Sequence, residues 1–395
     1  MAVTTQLLRH INAMRILRLL RRGAVMSRAD IARELGLTRA TVGNAMTTLL
    51  GSGLVMEGVT NQAEARVGRP GVDVMLDPNG AFSIGVEIGM RSLTVVVINL
   101  VSTVIAQSRD RIGNFRDTGQ LVGRILQIVE ELRLKAGVPS DRISGLGVAI
   151  PGLVDREGTV VNAPFLQWRR FPIRDRLAAA LPPDWLVRVQ NDASAFAAAE
   201  RAAGLNFESE DLLLVLMTEG IGGALVREGK VVGGGHGYAG EIGHTIVSAG
   251  GRTDTFEMLA GFPNFESISP ADKTVAEAVA AILSRRSEAP IAAMIDLWGE
   301  TLGLGLANAV HLLDPRQIVL GGPLSQLYPA AEARVIEQLD KLLIYGFARP
   351  PIRLAAAGSD GVSIGAATLV QDTLFDLPPL ENVSDSNPYI AVPTW

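Results

Sequence analysis

At 395 residues the chain is too long for one ordinary domain and predicts two or three. A composition 48% hydrophobic and 19% charged excludes intrinsic disorder, and no apolar run reaches the roughly 18 residues of a membrane span. The lack of cysteine excludes disulfides, thiolate zinc sites and cysteine nucleophiles, while the modest net charge of −5 hides a strong asymmetry along the chain.

Residues 1–70 carry ten arginines against four acids, a net +6, which leaves −11 for residues 71–395. A basic head on an acidic body is expected where one end meets a polyanion, although arginines also decorate solvated helix faces. No apolar leader marks the N-terminus, so the cytoplasm is the expected compartment and no membrane is involved.

Leu7, Leu8, Ile11, Met14, Leu17 and Leu20 recur at helical spacing and predict a first helix ending near Gly23. Ser27 caps a short helix over residues 28–35, with Asp30 completing a capping-box-like start, and Gly36 ends it. Thr38 caps a third helix whose apolar face is Val42, Ala45, Met46, Leu49 and Leu50. Two short helices across a glycine turn form a helix-turn-helix, with Arg39, Thr41 and Asn44 on the recognition helix. Strands over 54–57 and 72–76, joined by a basic loop with Arg66 and Arg69, predict a wing suited to phosphate or minor-groove contact. Ser27, Arg28, Thr38, Arg39, Thr41, Asn44, Arg66 and Arg69 are the DNA-binding candidates, and the partner is a double-stranded operator.

From Ala81 the texture changes to strands that end in glycine loops and alternate with helices. Strands are predicted over 84–89, 93–100, 146–150, 187–190, 212–217 and 317–320, and helices over 121–134, 193–203 and 301–313. This is α/β architecture with ligands bound at strand ends. The expected domains are a winged helix-turn-helix over 1–78, a first lobe over 79–192 to which 365–395 return, and a second lobe over 193–364.

Gly36-Leu37-Thr38-Arg39-Ala40-Thr41-Val42 and Gly68-Arg69-Pro70 in the head, with Asn191-Asp192 and Gly240-Glu241-Ile242-Gly243-His244 in the body, carry a family resemblance. Over residues 7–370 the chain resembles ROK proteins, sugar kinases and sugar-responsive repressors with a two-lobed actin-like ATPase fold. The resemblance implies a sugar or sugar-phosphate site at Asn191, Asp192, Glu241, His244 and Glu257. Carboxylates, an amide and an imidazole suit a ring of hydroxyls that each donate and accept. Asn191-Asp192 also suits a helix N-cap, and a satisfied core histidine is the alternative for His244. In family kinases the position of Asp192 is the general base, which is its catalytic role only if this chain is a kinase.

Departures from the pattern point away from catalysis. Glu87-Ile88-Gly89-Met90-Arg91 stands where kinases carry Asp-x-Gly-Gly-Thr, and Glu219 puts a carboxylate into the second phosphate loop. Two like charges at about 4 Å repel by about 4 kcal/mol at an effective dielectric near 20, about a thousandfold in affinity. The stretch Thr245–Phe256 replaces the family's cysteine-rich zinc loop and leaves His244 alone of the usual ligands, with Thr253, Asp254 and Thr255 expected to orient it. Phe165 stands where many relatives have Asn, which implies a less polar face toward the sugar. The expectation is a sugar-responsive regulator, most simply a repressor, a homodimer or homotetramer with no metal and no ATP. The rivals are a sugar kinase with a DNA-binding head, and an activator or constitutive regulator answering to a protein partner.

Overall fold

The computed structural model describes residues 5–58, 72–111, 118–204, 211–268 and 273–376. In the head, helix α1 (Thr5–Arg21) is followed by a short strand β1 (Met26–Ser27), α2 (Arg28–Leu35), α3 (Arg39–Gly51), β2 (Val55–Gly58) and β3 (Asp73–Leu76). Ser27 accepts the Asp30 N–H and Thr38 accepts the Thr41 N–H, so both predicted caps start their helices. Gly36 closes α2 in the left-handed conformation that lets the chain turn sharply into α3. Strands β2 and β3 pair antiparallel as the predicted wing, and β1 adds a third strand that the sequence did not announce.

The body contains two five-stranded sheets with one shared plan. In the first, β4 (Phe82–Ile88), β5 (Ser92–Asn99) and β6 (Val104–Arg111) form an antiparallel meander. Helix α4 (Thr118–Lys135) leads to β7 (Ile143–Ile150), parallel to β4. A small sheet of β8 (Leu153–Val154), β9 (Val160–Ala163) and β10 (Trp168–Phe171) precedes α5 (Ile173–Ala178) and β11 (Leu186–Asn191), which is parallel to β7. Helix α6 (Asp192–Ala202) then leaves the sheet.

In the second sheet, β12 (Leu212–Met217), β13 (Ile221–Arg227) and β14 (Lys230–Val231) form the meander. A hairpin of β15 (Ile246–Ala249) and β16 (Arg252–Thr255) leads into α7 (Phe256–Ala260), α8 (Val275–Ser284) and the long α9 (Ala289–Leu313). Strand β17 (Gln317–Gly321) runs parallel to β12, and after α10 (Tyr328–Leu342) the strand β18 (Ile352–Leu354) completes the sheet. Each sheet therefore places three meander strands on one side and two parallel strands on the other, in the same order. The winged helix-turn-helix and the duplicated α/β plan are the predicted fold class.

Helix α11 (Gly361–Gln371) lies against β4, β7 and α6, in a joint of small residues. A Cβ on Gly365 would fall 1.7 Å from the Ala195 carbonyl oxygen, and one on Gly147 1.8 Å from that of Ala366. The alanines of α6 are small for this reason: larger side chains would force the two helices and the sheet apart. Beyond α11 the chain does not stop at the first lobe, because Phe375 is buried in the apolar cluster of the head with Leu17, Leu20 and Leu76.

Candidate functional site

The site begins where β11 ends. Asn191 caps α6 through its side-chain oxygen, which accepts the Ala193 N–H at 2.9 Å, while its Nδ2 donates to the Gly152 carbonyl at 3.0 Å. The N-cap reading of Asn191-Asp192 is the one the geometry shows: the cap fixes the backbone, and Asp192 is held at the helix start as a buried side chain. Its carboxyl accepts the Ala193 N–H at 2.8 Å and its own N–H, both from the main chain at the helix start. Burial, opposed by those two N–H groups and reinforced by the charges of Glu241 and Glu219, raises Asp192 to about 7.

Glu241 and His244 come from the turn after the Gly-rich loop, and Glu257 from the start of α7. His244 Nε2 lies 3.6 Å from Glu241 and its Nδ1 3.5 Å from Glu257, and the imidazole remains largely exposed. Burial raises Glu241, with His244 opposing and Glu257 adding to the shift. Glu241, His244 and Glu257 therefore stand together, with Asp192 near Glu241, while the side chain of Asn191 is spent on the cap and on Gly152. The orientation of His244 differs from expectation: Thr253 bonds Ser248, Asp254 accepts the Thr255 N–H, and Thr255 caps α7. The two flanking glutamates take that role, because the 245–256 stretch folds as a closed hairpin with its own cross-strand partners.

Two further acids, which the sequence flagged only as departures, stand close enough to Asp192 to raise or share its charge burden. Glu87, at the end of β4, is raised to about 8 by burial and by Asp192, with Arg109 opposing. Glu219, in the β12–β13 turn, is raised by burial, with its own N–H and Arg91 opposing. Arg91 from the β4–β5 turn also reaches the second lobe, donating to the Lys273 carbonyl at 3.4 Å. The glycines of the β12–β13 turn have packing reasons of their own. A Cβ on Gly222 would lie 3.1 Å from that of Ala193, and one on Gly223 2.5 Å from the Gly240 carbonyl oxygen. A glycine loop here is required by the closeness of α6 and the 240 turn, whatever binds in the cleft. Phe165 packs half-buried against the apolar core of the first lobe.

Among the described residues no three His, Asp or Glu side chains are placed to hold a metal ion. The donor set where the family holds zinc does not fit that ion, since His244 has no thiolate beside it.

In the head, Arg39, Ala40 and Asn44 are exposed on α3, with Thr41 half-exposed between them. Arg39 makes no ion pair among the described residues, whereas Arg28 pairs with Glu57 and Arg33 with Asp30. Ser27 and Thr38 spend their hydroxyls on caps. Arg66 and Arg69 lie outside the described residues. The basic asymmetry of the head is spent partly inward, as Arg15 donates to the Leu35 carbonyl, Arg18 to that of Phe375 and Arg21 to Asp372. Charge counting alone credits these arginines to nucleic acid. Their partners, distant in sequence, give them another role.

Residues 83–373 match the ROK family and residues 11–57 the IclR helix-turn-helix domain. The chain is 25% identical to the xylose repressor of Caldicellulosiruptor bescii over 399 residues, 94% of this chain and 98% of that protein. It is also 25% identical to the glucokinase of Halalkalibacterium halodurans, over 73% of this chain and 94% of the kinase. The fold superposes on the crystal structure of a ROK family transcriptional regulator, a homologue of the E. coli MLC protein, with a TM-score of 0.75 at 22% identity, covering 94% and 98% of the two chains.

Proposed function

The chain belongs to the ROK family and carries a helix-turn-helix head, and from this we infer that it is a sugar-responsive DNA-binding repressor of carbohydrate-utilisation genes. The observation that carries the reading is the convergence of Asp192, Glu241, His244 and Glu257 on one cleft, in a chain whose α3 exposes Arg39 and Asn44. Three carboxyls and an imidazole offer a sugar both acceptors and a switchable donor. Arg39, Thr41 and Asn44 supply the donors and acceptors that read base edges, with Ser27, Arg28 and Thr38 toward the backbone. Similar proteins include a xylose repressor and an N-acetylglucosamine repressor, matched over 94% and 84% of this chain, which support the repressor assignment. Two copies of the head, in a cytoplasmic homodimer or tetramer, would span operator half-sites one turn or a multiple apart.

Catalysis is not part of this reading. Glu219 puts a carboxyl into the β12–β13 turn, where the resemblance places the second phosphate loop, Glu87 is held largely neutral at pH 7, and Arg91 already meets the second lobe through Lys273. Phosphoryl transfer depends on positioning and charge stabilisation, which added carboxylates oppose. The rival sugar kinase draws on one observation, the value of about 7 for Asp192, which would suit a general base. Calorimetric titration with xylose, glucose, N-acetylglucosamine and their phosphates tests the effector reading. Binding by the wild type that weakens at least tenfold in His244→Ala supports it, and silence across the panel sinks it. Coupled ADP release that disappears in Asp192→Asn would replace it with the kinase.

A further inference from the structure

Helix α6 starts at the candidate sugar site with Asp192 and carries Arg201 in its last turn, where it donates to one oxygen of Asp372 just beyond α11. The other oxygen of Asp372 accepts from Arg21 at the end of α1, so one half-buried carboxylate links the cleft helix to the head. The junction is reinforced on the head side: Arg21 also stacks over the Phe375 ring at 4.4 Å, Arg18 donates to the Phe375 carbonyl, and Phe375 is buried in the head's core. We propose that Arg201, Asp372 and Arg21 form the coupling element through which occupancy of the cleft sets the position of the DNA-binding head. The proposal rests on the effector reading above and assigns its route.

The physical argument is directional. A helix transmits a shift of its first turn to its last as a nearly rigid rod, and α6 cannot absorb the shift by sliding because Gly365 and Ala195 leave no free space beside it. Asp372 gives each of its oxygens to a different arginine, so displacing Arg201 strips one oxygen of its donor and leaves Arg21 to hold the carboxylate through the other alone. The bidentate-capable guanidinium groups at both ends make the geometry of this joint specific. Asp372 is thus a positioning residue: it touches neither sugar nor duplex.

The test uses the full-length protein, a duplex that it selects from a random pool, and the sugar panel named above. Duplex affinity is measured with and without saturating sugar for the wild type, Asp372→Asn, Arg201→Ala and Arg201→Lys, and sugar affinity is measured separately for each. The wild type is expected to change duplex affinity at least tenfold with sugar. Asp372→Asn and Arg201→Ala are expected to change it less than threefold while binding sugar within threefold of wild type, and Arg201→Lys to restore part of the response. Arg201→Ala keeps the Arg21–Asp372 pair, so it remains informative should Asp372→Asn fail to fold. Variants that respond as fully as the wild type would overturn the relay and leave the effector reading standing. A wild type that binds no sugar of the panel would overturn both, and would be recognised as such before any variant is made.

Discussion

The two ends of α6 hold buried acids eight residues apart on one helix, and their surroundings could hardly differ more. Glu200 is wholly buried and fully answered: Arg353 donates to one oxygen at 3.0 Å, and the Ala356 and Ala357 N–H groups donate to the other at 2.8 and 2.7 Å. Asp192 is buried with only main-chain N–H groups, its own and that of Ala193, to meet it among the described residues, and with other carboxyls around it. A buried acid whose partners are complete joins elements together, here α6 to the second lobe. One met only by main-chain N–H groups, among other carboxyls, is a candidate for a functional site.

The sharpest way to break this contrast is to remove each acid in turn. Glu200→Ala strands the Arg353 guanidinium and two N–H groups in the interior and should lower stability by about 3–5 kcal/mol in denaturant unfolding. Asp192→Asn should leave stability near neutral pH almost unchanged and instead weaken sugar binding by about 1.5–3 kcal/mol, the worth of a hydrogen bond to a charged group, read by calorimetry. Equal losses of stability in the two variants would erase the distinction. In the head, Arg39→Ala should cost about 1–3 kcal/mol in affinity for a selected duplex, measured by fluorescence anisotropy, with no change in melting temperature.

The acid side of the contrast also has a pH signature. Glu87 and Asp192 sit near 8 and 7 when folded, above their ordinary values. Their protonated forms therefore favour the folded state, fully so below about pH 4, and this contribution is lost as pH rises through 7 and 8. The ligand-free protein should lose stability between pH 5 and 8 by up to about 1.4 kcal/mol per pH unit for each group. Glu87→Gln should flatten that slope in urea titrations at several pH values. An unchanged slope would mean that Glu87 is charged in the folded protein.

Much of the fold was legible along the chain because its signals are local. Ser27 and Thr38 mark helix starts through hydrogen bonds that span three residues, and alternating or continuous apolar runs set out β4, β5, β7, β12 and β17. The strands β8, β9, β10, β15 and β16 were not, since they are short, partly polar and defined by pairing rather than by composition. At the candidate site the residue types were legible, but what holds His244 between Glu241 and Glu257 depends on where a hairpin and a turn come together.

The amino-acid order by itself determined the winged head, the α/β body and the residue types that a sugar and a duplex would require, because caps, periodicity and charge act over a few neighbours. Only the tertiary structure decided which arginines face outward and which are spent on Phe375 and Asp372, and which buried acid is satisfied. Those outcomes depend on partners up to 357 positions away, whose approach is fixed by how α6 and α11 pack between the sheets. Electrostatics and burial act through space, and no reading confined to neighbours along the chain contains those distances.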